Sequence, residues 1–174
     1  MASIDDLLGQ MRLPERTFNL CTRADLQGEW EQAEQTLARA ELQARDSLVG
    51  NSAEVRELAS RVQDLEAEMA AHTVAIKLRA RTHKEWMDLL AKHPPREGND
   101  NDGAFNSATF GPALLAECAV DPVMSEEQAG KLVDSMSTGQ WNDLFNTLWG
   151  LNRSGVDVPK SRRASEALQS SPKK

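Results

Sequence analysis

Apolar positions along this chain follow two rhythms. The first is helical. Leu26, Trp30, Ala33, Leu37, Ala40 and Ala44 recur with spacings of 4, 3, 4, 3 and 4, and after a break at Leu48–Ser52 the rhythm resumes as Val55, Leu58, Val62, Leu65, Met69 and His72. Alternating steps of three and four keep one edge of an α-helix apolar, so each run predicts a helix carrying a short, coiled-coil-like seam. The Gly50-Asn51-Ser52 joint between them is brief, which predicts an antiparallel helical hairpin. Ala33, Ala40 and Ala44 are small enough to let the two helices approach closely.

The second rhythm has a period of two. In Thr17–Arg23, Phe18 and Leu20 fall on one side, with Asn19 and Cys21 on the other. In Thr73–Arg81, Val74, Ile76 and Leu78 alternate with Ala75, Lys77 and Arg79. Both stretches read as strands, and their position on either side of the hairpin predicts antiparallel pairing at its base. A two-stranded ribbon is marginal alone and needs a cover, while its free edges offer pairing sites to another subunit.

Further helices follow from end signals. Ser3 can cap a short helix running to Met11, with Ile4, Leu7, Leu8 and Met11 on one face; it is expected to dock on its own chain. Thr82–Lys92 places Trp86, Leu89, Leu90 and His93 together and stops at Pro94-Pro95. Gly98–Gly103 (GNDNDG) reads as a solvated, flexible loop. Thr109–Cys118 points Phe110, Leu114, Leu115 and Cys118 inward, and Asp121-Pro122 makes a turn. Ser125 with Gln128, and Ser137 with Gln140, form capping boxes for two more helices. The first carries Leu132, Val133 and Met136; the second carries Trp141, Leu144, Phe145, Leu148 and Trp149 and stops at Asn152–Gly155. From Val156 onward periodicity ends, and Ser, Lys, Arg and Pro predict a disordered tail.

The resulting fold class is mainly α: a coiled-coil-like antiparallel helical hairpin inserted between two short antiparallel strands, then a small helical domain and a disordered basic tail. The expected segments are a short N-terminal helix in 1–15, strand–hairpin–strand in 16–81, the helical domain in 82–155 and the tail in 156–174.

Charge refines this picture. The 174 residues carry a net charge of −7. Asp25 to His72 alone hold eleven Asp or Glu against four Arg, so the acidity lies on the hairpin, where its simplest role is a solvated outer face. Val156 to Lys174 hold five Lys or Arg against two acids. This balance argues against nucleic acid as a partner. No apolar run approaches the ~20 residues of a membrane span, so no membrane association is expected. The acidic start, MASIDDLLGQM, differs from a basic signal peptide. Cys21 and Cys118 stand far apart without metal-type spacing, which fits a reducing cytoplasm.

Candidate chemistry is sparse. His72, His83 and His93 lie ten or eleven residues apart and lack a convergent metal motif, so each reads as surface or packing. No GxSxG, P-loop, GxGxxG or CxxC pattern occurs. GNDNDG lacks the spacing and terminal Glu of a calcium loop. No catalytic, cofactor-binding or metal-ligating residue is expected, and the chain does not read as an enzyme. The Trp141–Phe145–Trp149 stripe is unusually rich for a protein with four Trp, four Phe and no Tyr. Most such stripes are core, and part of this one is a candidate interface.

The order of landmarks resembles tail-assembly chaperones of long-tailed, siphovirus-type phages that infect actinobacteria. The pieces are TFNLCTRADL, the Ala/Glu-rich hairpin, EMAAHTVAIKLRAR, EWMDLLAKHPPRE, TFGPALLAECAVDPVMSEE, GQWNDLFNTLWGLN and VDVPKSRRAS, spanning roughly Arg16 to Ser165. The resemblance implies a non-enzymatic protein of the host cytoplasm, absent from the mature virion. It would bind the apolar, helical tape-measure protein, keep it soluble and help deliver tail tube protein. It also implies a longer form made by programmed frameshifting, and Pro172-Lys173-Lys174 can be encoded by a slippery run. The candidate partner-binding residues are Trp86, Leu90, Trp141, Leu144, Phe145, Leu148 and Trp149, with the hairpin or strand pair as a homo-oligomer surface. The alternatives are a minor tail or connector protein that persists in the virion, and a host-directed adaptor.

Overall fold

A computed structural model describes residues 3–46 and 52–155. The Gly50-Asn51 joint and the expected disordered tail lie outside the described residues. The described part is mostly helical, with seven helices and one three-stranded antiparallel sheet of order β1-β2-β3. The elements are α1 (Ile4–Gln10), β1 (Glu15–Cys21), α2 (Leu26–Asp46), α3 (Ser52–Ala71), β2 (Thr73–Arg79), α4 (His83–Lys92), α5 (Phe110–Cys118), β3 (Ala119–Asp121), α6 (Glu126–Asp134) and α7 (Thr138–Arg153).

β1 and β2 pair antiparallel from Glu15 opposite Arg79 to Cys21 opposite Thr73. Glu15 forms ion pairs at 2.7 Å with both Lys77 and Arg79, which hold its carboxyl below its ordinary value. Phe18 lies opposite Ile76, which puts two apolar side chains on one face. The third strand, β3, was not expected: a stretch read as helix end and turn adds Ala119 and Asp121 to the far edge of β2, with a register shift at Lys77/Leu78. Three residues are too few to show an alternation, so the strand had no periodic signal.

α2 and α3 pack on each other. Of the twelve seam positions, Leu26, Val62 and Leu65 are buried and eight others half-buried; His72 is exposed. Polar bonds reinforce the contact. The Trp30 indole N–H donates to Glu66 at 3.2 Å, Arg61 pairs with Glu29 at 3.2 Å, and Arg23 reaches Glu68 at 3.1 Å. The Thr22 amide and hydroxyl both donate to the His72 carbonyl at 2.9 Å, joining the chain just after β1 to the chain just before β2.

The main core forms around α5. Phe110, Leu114, Leu115 and Cys118 are fully buried, and Gly111 and Ala113 are buried beside them. A helix apolar over most of its circumference, with only Glu117 exposed, needs cover on several sides. α4, α6 and α7 supply it, while α7 also packs on β1. Leu20, Ile76 and Leu78 of the sheet belong to the same apolar cluster as Leu144, Leu148 and Leu151 of α7. Both ends of α7 are tied to the strands' surroundings. Gln140 Nε2 donates to the Cys21 carbonyl at 3.1 Å, and Asn152 Oδ1 accepts from the Arg81 amide at 2.8 Å. α7 ends at Arg153, within the expected Asn152–Gly155 stop, and the Asn152 side chain is engaged at 2.8 Å with the Leu148 carbonyl and the Arg81 amide.

α1 departs from expectation. Its capping box forms, with Ser3 Oγ accepting from the Asp6 amide and Asp6 accepting from the Ser3 amide. However, no α1 residue is buried, and Ile4, Leu7, Leu8 and Met11 are 53–65% exposed. The helix does not dock on its own chain. Arg12 donates to the carbonyls of Gly9 and Met11, and the Pro14 carbonyl accepts from the Ala80 amide at 2.9 Å.

The close approach at Gly111 yields a prediction. A Cβ there would sit 2.5 Å from Cζ2 and 2.9 Å from Cη2 of Trp141. Gly111→Ala is expected to destabilise the protein by about 1–3 kcal/mol through overpacking. Denaturant midpoints and Trp fluorescence measure it; an unchanged midpoint and spectrum would show that Trp141 is free to move aside.

Candidate functional site

Six of the eight aromatic residues form one continuous train on the α4–α5–α7 side of the molecule. Trp141 meets Phe145 at 5.4 Å between ring centroids, Phe145 stacks on Trp149 at 5.8 Å, and Trp149 meets Trp86 edge-on at 5.4 Å. Phe110 anchors the train from below, 5.7 Å from Trp86. Phe105 stacks on Phe110 at 4.1 Å. Local sequence explains the arrangement. Trp141, Phe145 and Trp149 recur every four residues on α7, while Trp86 sits one turn into α4 behind a Thr82–Glu85 capping box.

Where Trp86 and Trp149 meet, the surface opens into a groove of about 510 Å³. Trp86, Met87 and Leu90 of α4, Ala104 of the following loop and Trp149 of α7 form its apolar lining, with Arg81, His83, Asn152 and Arg153 at its polar side. Met87 is 50% exposed. Arg153 lies over the Trp149 ring at 4.8 Å, a cation–π contact that keeps the guanidinium at the groove. Arg81 bridges Glu85 and Glu117 at 2.8 and 2.9 Å, and its Nε is buried without a partner. No carboxylate lines this groove, although the chain as a whole is acidic.

The seven candidate partner-binding residues divide three ways. Trp86, Leu90 and Trp149 line the groove together. Trp141 and Phe145 are half-buried along the same aromatic train, with Trp141 packed against Gly111. Leu144 and Leu148 are fully buried and face the core. Met87, Ala104 and Arg153 also line the groove, although the stripe pattern did not single them out. Met87 follows Trp86 on the outward side of α4, and Ala104 reaches the groove only through the loop's tertiary path.

That loop corrects another expectation. Gly98–Gly103 is organised around Asp102, whose side chain is fully buried rather than solvated. Its carboxylate accepts from the Arg96 amide, Nε and Nη2 at 2.8–2.9 Å and from the Ser107 amide and hydroxyl at 3.0 and 2.7 Å. The Arg96 guanidinium, aided by these amides and the hydroxyl, holds the Asp102 carboxyl well below the ordinary aspartate range. This staple fixes the approach to Ala104 and Phe105 and thus one wall of the groove.

The remaining polar groups do not converge. Among the described residues no cluster of three His, Cys, Asp or Glu is placed to hold a metal ion, and no helix is long and apolar enough to cross a membrane. His93 Nδ1 is bonded to Thr109 Oγ1 at 2.9 Å and packs against Phe110, whereas His72 and His83 are exposed. Burial pushes the Cys118 thiol pKa up, leaving it a packing group. Comparisons with protein-family models, curated proteins and solved structures found no match to the chain.

The Asp102 staple predicts a pH effect. A carboxyl whose folded pKa is depressed stabilises the fold fully above the unfolded value of about 3.9 and loses that contribution as pH falls toward the folded value. Asp102→Asn is expected to lower the melting temperature at neutral pH, and the gap to wild type is expected to narrow below about pH 4. A gap independent of pH would show that the Asp102 charge does not hold the loop.

Proposed function

We propose that this chain is a tail-assembly chaperone of a siphovirus-type actinobacteriophage. It binds the tape-measure protein, keeps it soluble in the host cytoplasm, promotes tail tube assembly and is absent from the finished virion. The observation that carries this reading is the Trp86–Met87–Leu90–Trp149 groove: apolar, open to solvent and paired with no segment of the described chain. A tape measure presents long apolar helical stripes that aggregate when exposed. A groove between two helices accepts such a stripe through side chains spaced three and four apart. Trp and Met suit the task, because large rigid rings supply contact area and a flexible thioether adapts to different partners.

Two further features of the reading concern the rest of the molecule. α2 and α3 act as an antiparallel hairpin inserted between β1 and β2, and its acidic outer face keeps the loaded complex soluble. A longer frameshifted form would contact the tail tube protein. Neither task requires enzymatic chemistry or a cofactor.

Co-expression with the tape-measure protein of the same genome tests the proposal. The tape measure is expected to move from the pellet into a soluble complex with this chain. Met87→Asp changes a half-exposed side chain and is expected to leave the fold intact while weakening the complex about tenfold or more, because the charge loses its water on binding. An insoluble tape measure beside a folded, unbound chain would overturn the reading. Abundant peptides of this chain in purified virions would favour a minor tail or connector protein instead.

A further inference from the structure

α2 and α3 pack chiefly on each other, and their seam is closed only in the half nearer the sheet, where Leu26, Val62 and Leu65 are buried. Toward the tip Leu37, Ala40, Ala44, Val55 and Leu58 stay half-buried. Two helices cover each other along one line, so an apolar flank is left on either side of it. The two flanks carry different charge. On one, Arg61 is bridged to Glu29, and Arg23 to Glu68. On the other, the Trp30 N–H donates to Glu66 and no ion pair crosses between the helices.

That second flank has an ordered pattern. Along α2, beside the seam, Glu31, Glu34, Ala38, Glu41 and Arg45 recur at spacings of 3, 4, 3 and 4. Along α3, Glu66, Gln63, Ala59 and Arg56 recur at spacings of 3, 4 and 3. These spacings align each row along its helix. Both rows run from acid near the sheet, through a small alanine at mid-length, to arginine near the tip. Glu41 is the one acid on the tip side. Arg45 and Arg56 are exposed and make no ion pair among the described residues. They lie about 15 Å along the helices from Glu34 and Glu66, beyond the reach of a direct pair in the same chain.

We propose that two copies of this chain associate through this flank, hairpin against hairpin and tip to base. A two-fold axis near Ala38 and Ala59 lays the arginines of each copy on the acids of the other, so the pattern is complementary to itself. A parallel arrangement would instead set acid on acid and arginine on arginine. The alanines fall where the helices cross, and their small side chains permit close approach. A flank about 30 Å long and 20 Å wide offers roughly 600 Å² per chain, which reaches the lower range of specific interfaces. The contact is isologous and closes at two chains. A dimer carrying two grooves would grip a long helical target at two points, a consequence that rests on the function proposed above. The pairing itself does not.

Sedimentation equilibrium of the purified chain, without any target and across a concentration series, tests the proposal. The wild-type chain is expected to form a reversible dimer that weakens with added salt. Arg45→Glu with Arg56→Glu, and separately Glu31→Lys with Glu34→Lys, are each expected to raise the dissociation constant at least tenfold. All four positions are exposed, so circular dichroism and melting curves should match wild type. An equimolar mixture of the two variants is expected to dimerise again, because each reversed tip then meets a lysine-bearing base and each arginine tip an acidic one. A wild-type chain that stays monomeric would overturn the proposal. So would a folded variant that dimerises as well as wild type, or a mixture that stays monomeric. None of these outcomes depends on whether the Trp86–Trp149 groove binds a tape measure.

Discussion

A helix that buries six of its nine residues needs cover over most of its circumference, and α5 imposes that condition on everything near it. Its buried residues include one at each end, Phe110 and Cys118, and Leu114 and Leu115 between them have no contact with water. Burying a large aliphatic or aromatic side chain is worth about 1.5–3 kcal/mol. Leaving one side of α5 open would forfeit several such contributions. The positions of α4, α6 and α7 follow from this demand, and so does the joining of helices and sheet in one apolar cluster. Gly111 shows how close the cover lies: the Trp141 ring occupies the space that a methyl group would need.

The groove follows from the same packing. α4 and α7 both bring large rings to Phe110, and the rings are too bulky to close over one another completely. Their outer edges remain in solvent and, with Met87, form an apolar surface beside Arg81 and Arg153. Core and groove are therefore one set of residues seen from two sides. Leu144 and Leu148 secure α7, and Trp149 one residue beyond Leu148 turns outward from it. The Asp102 staple adds a polar constraint, because a buried carboxylate demands its donors and so fixes the loop that supplies Ala104 and Phe105.

Charge is arranged on a larger scale. The acidic residues concentrate on the α2–α3 segment, whereas the groove is bordered by Arg side chains. Arg81 is already neutralised by Glu85 and Glu117, so the guanidinium of Arg153, stacked on Trp149, is the groove's main exposed charge.

The repeating elements were legible in the sequence because periodicity is local. Three-four spacing marked α2 and α3, two-residue alternation marked β1 and β2, a capping Ser3 marked the start of α1, and Ser followed three residues later by Gln marked the starts of α6 and α7. The aromatic stripe of α7 was visible for the same reason. Other features were decided only when distant segments met. β3 is too short to alternate and exists because β2 offers its free edge. Asp102 looked solvated until Arg96 and Ser107 closed around it. The stripe alone could not separate Leu144 from Trp149, since both recur at helical spacing, and their fates depend on which side of α7 meets α5. Periodicity thus determined which residues are apolar neighbours on an element, whereas tertiary packing decided which of them lose contact with water, because burial depends on the surface that arrives from elsewhere in the chain.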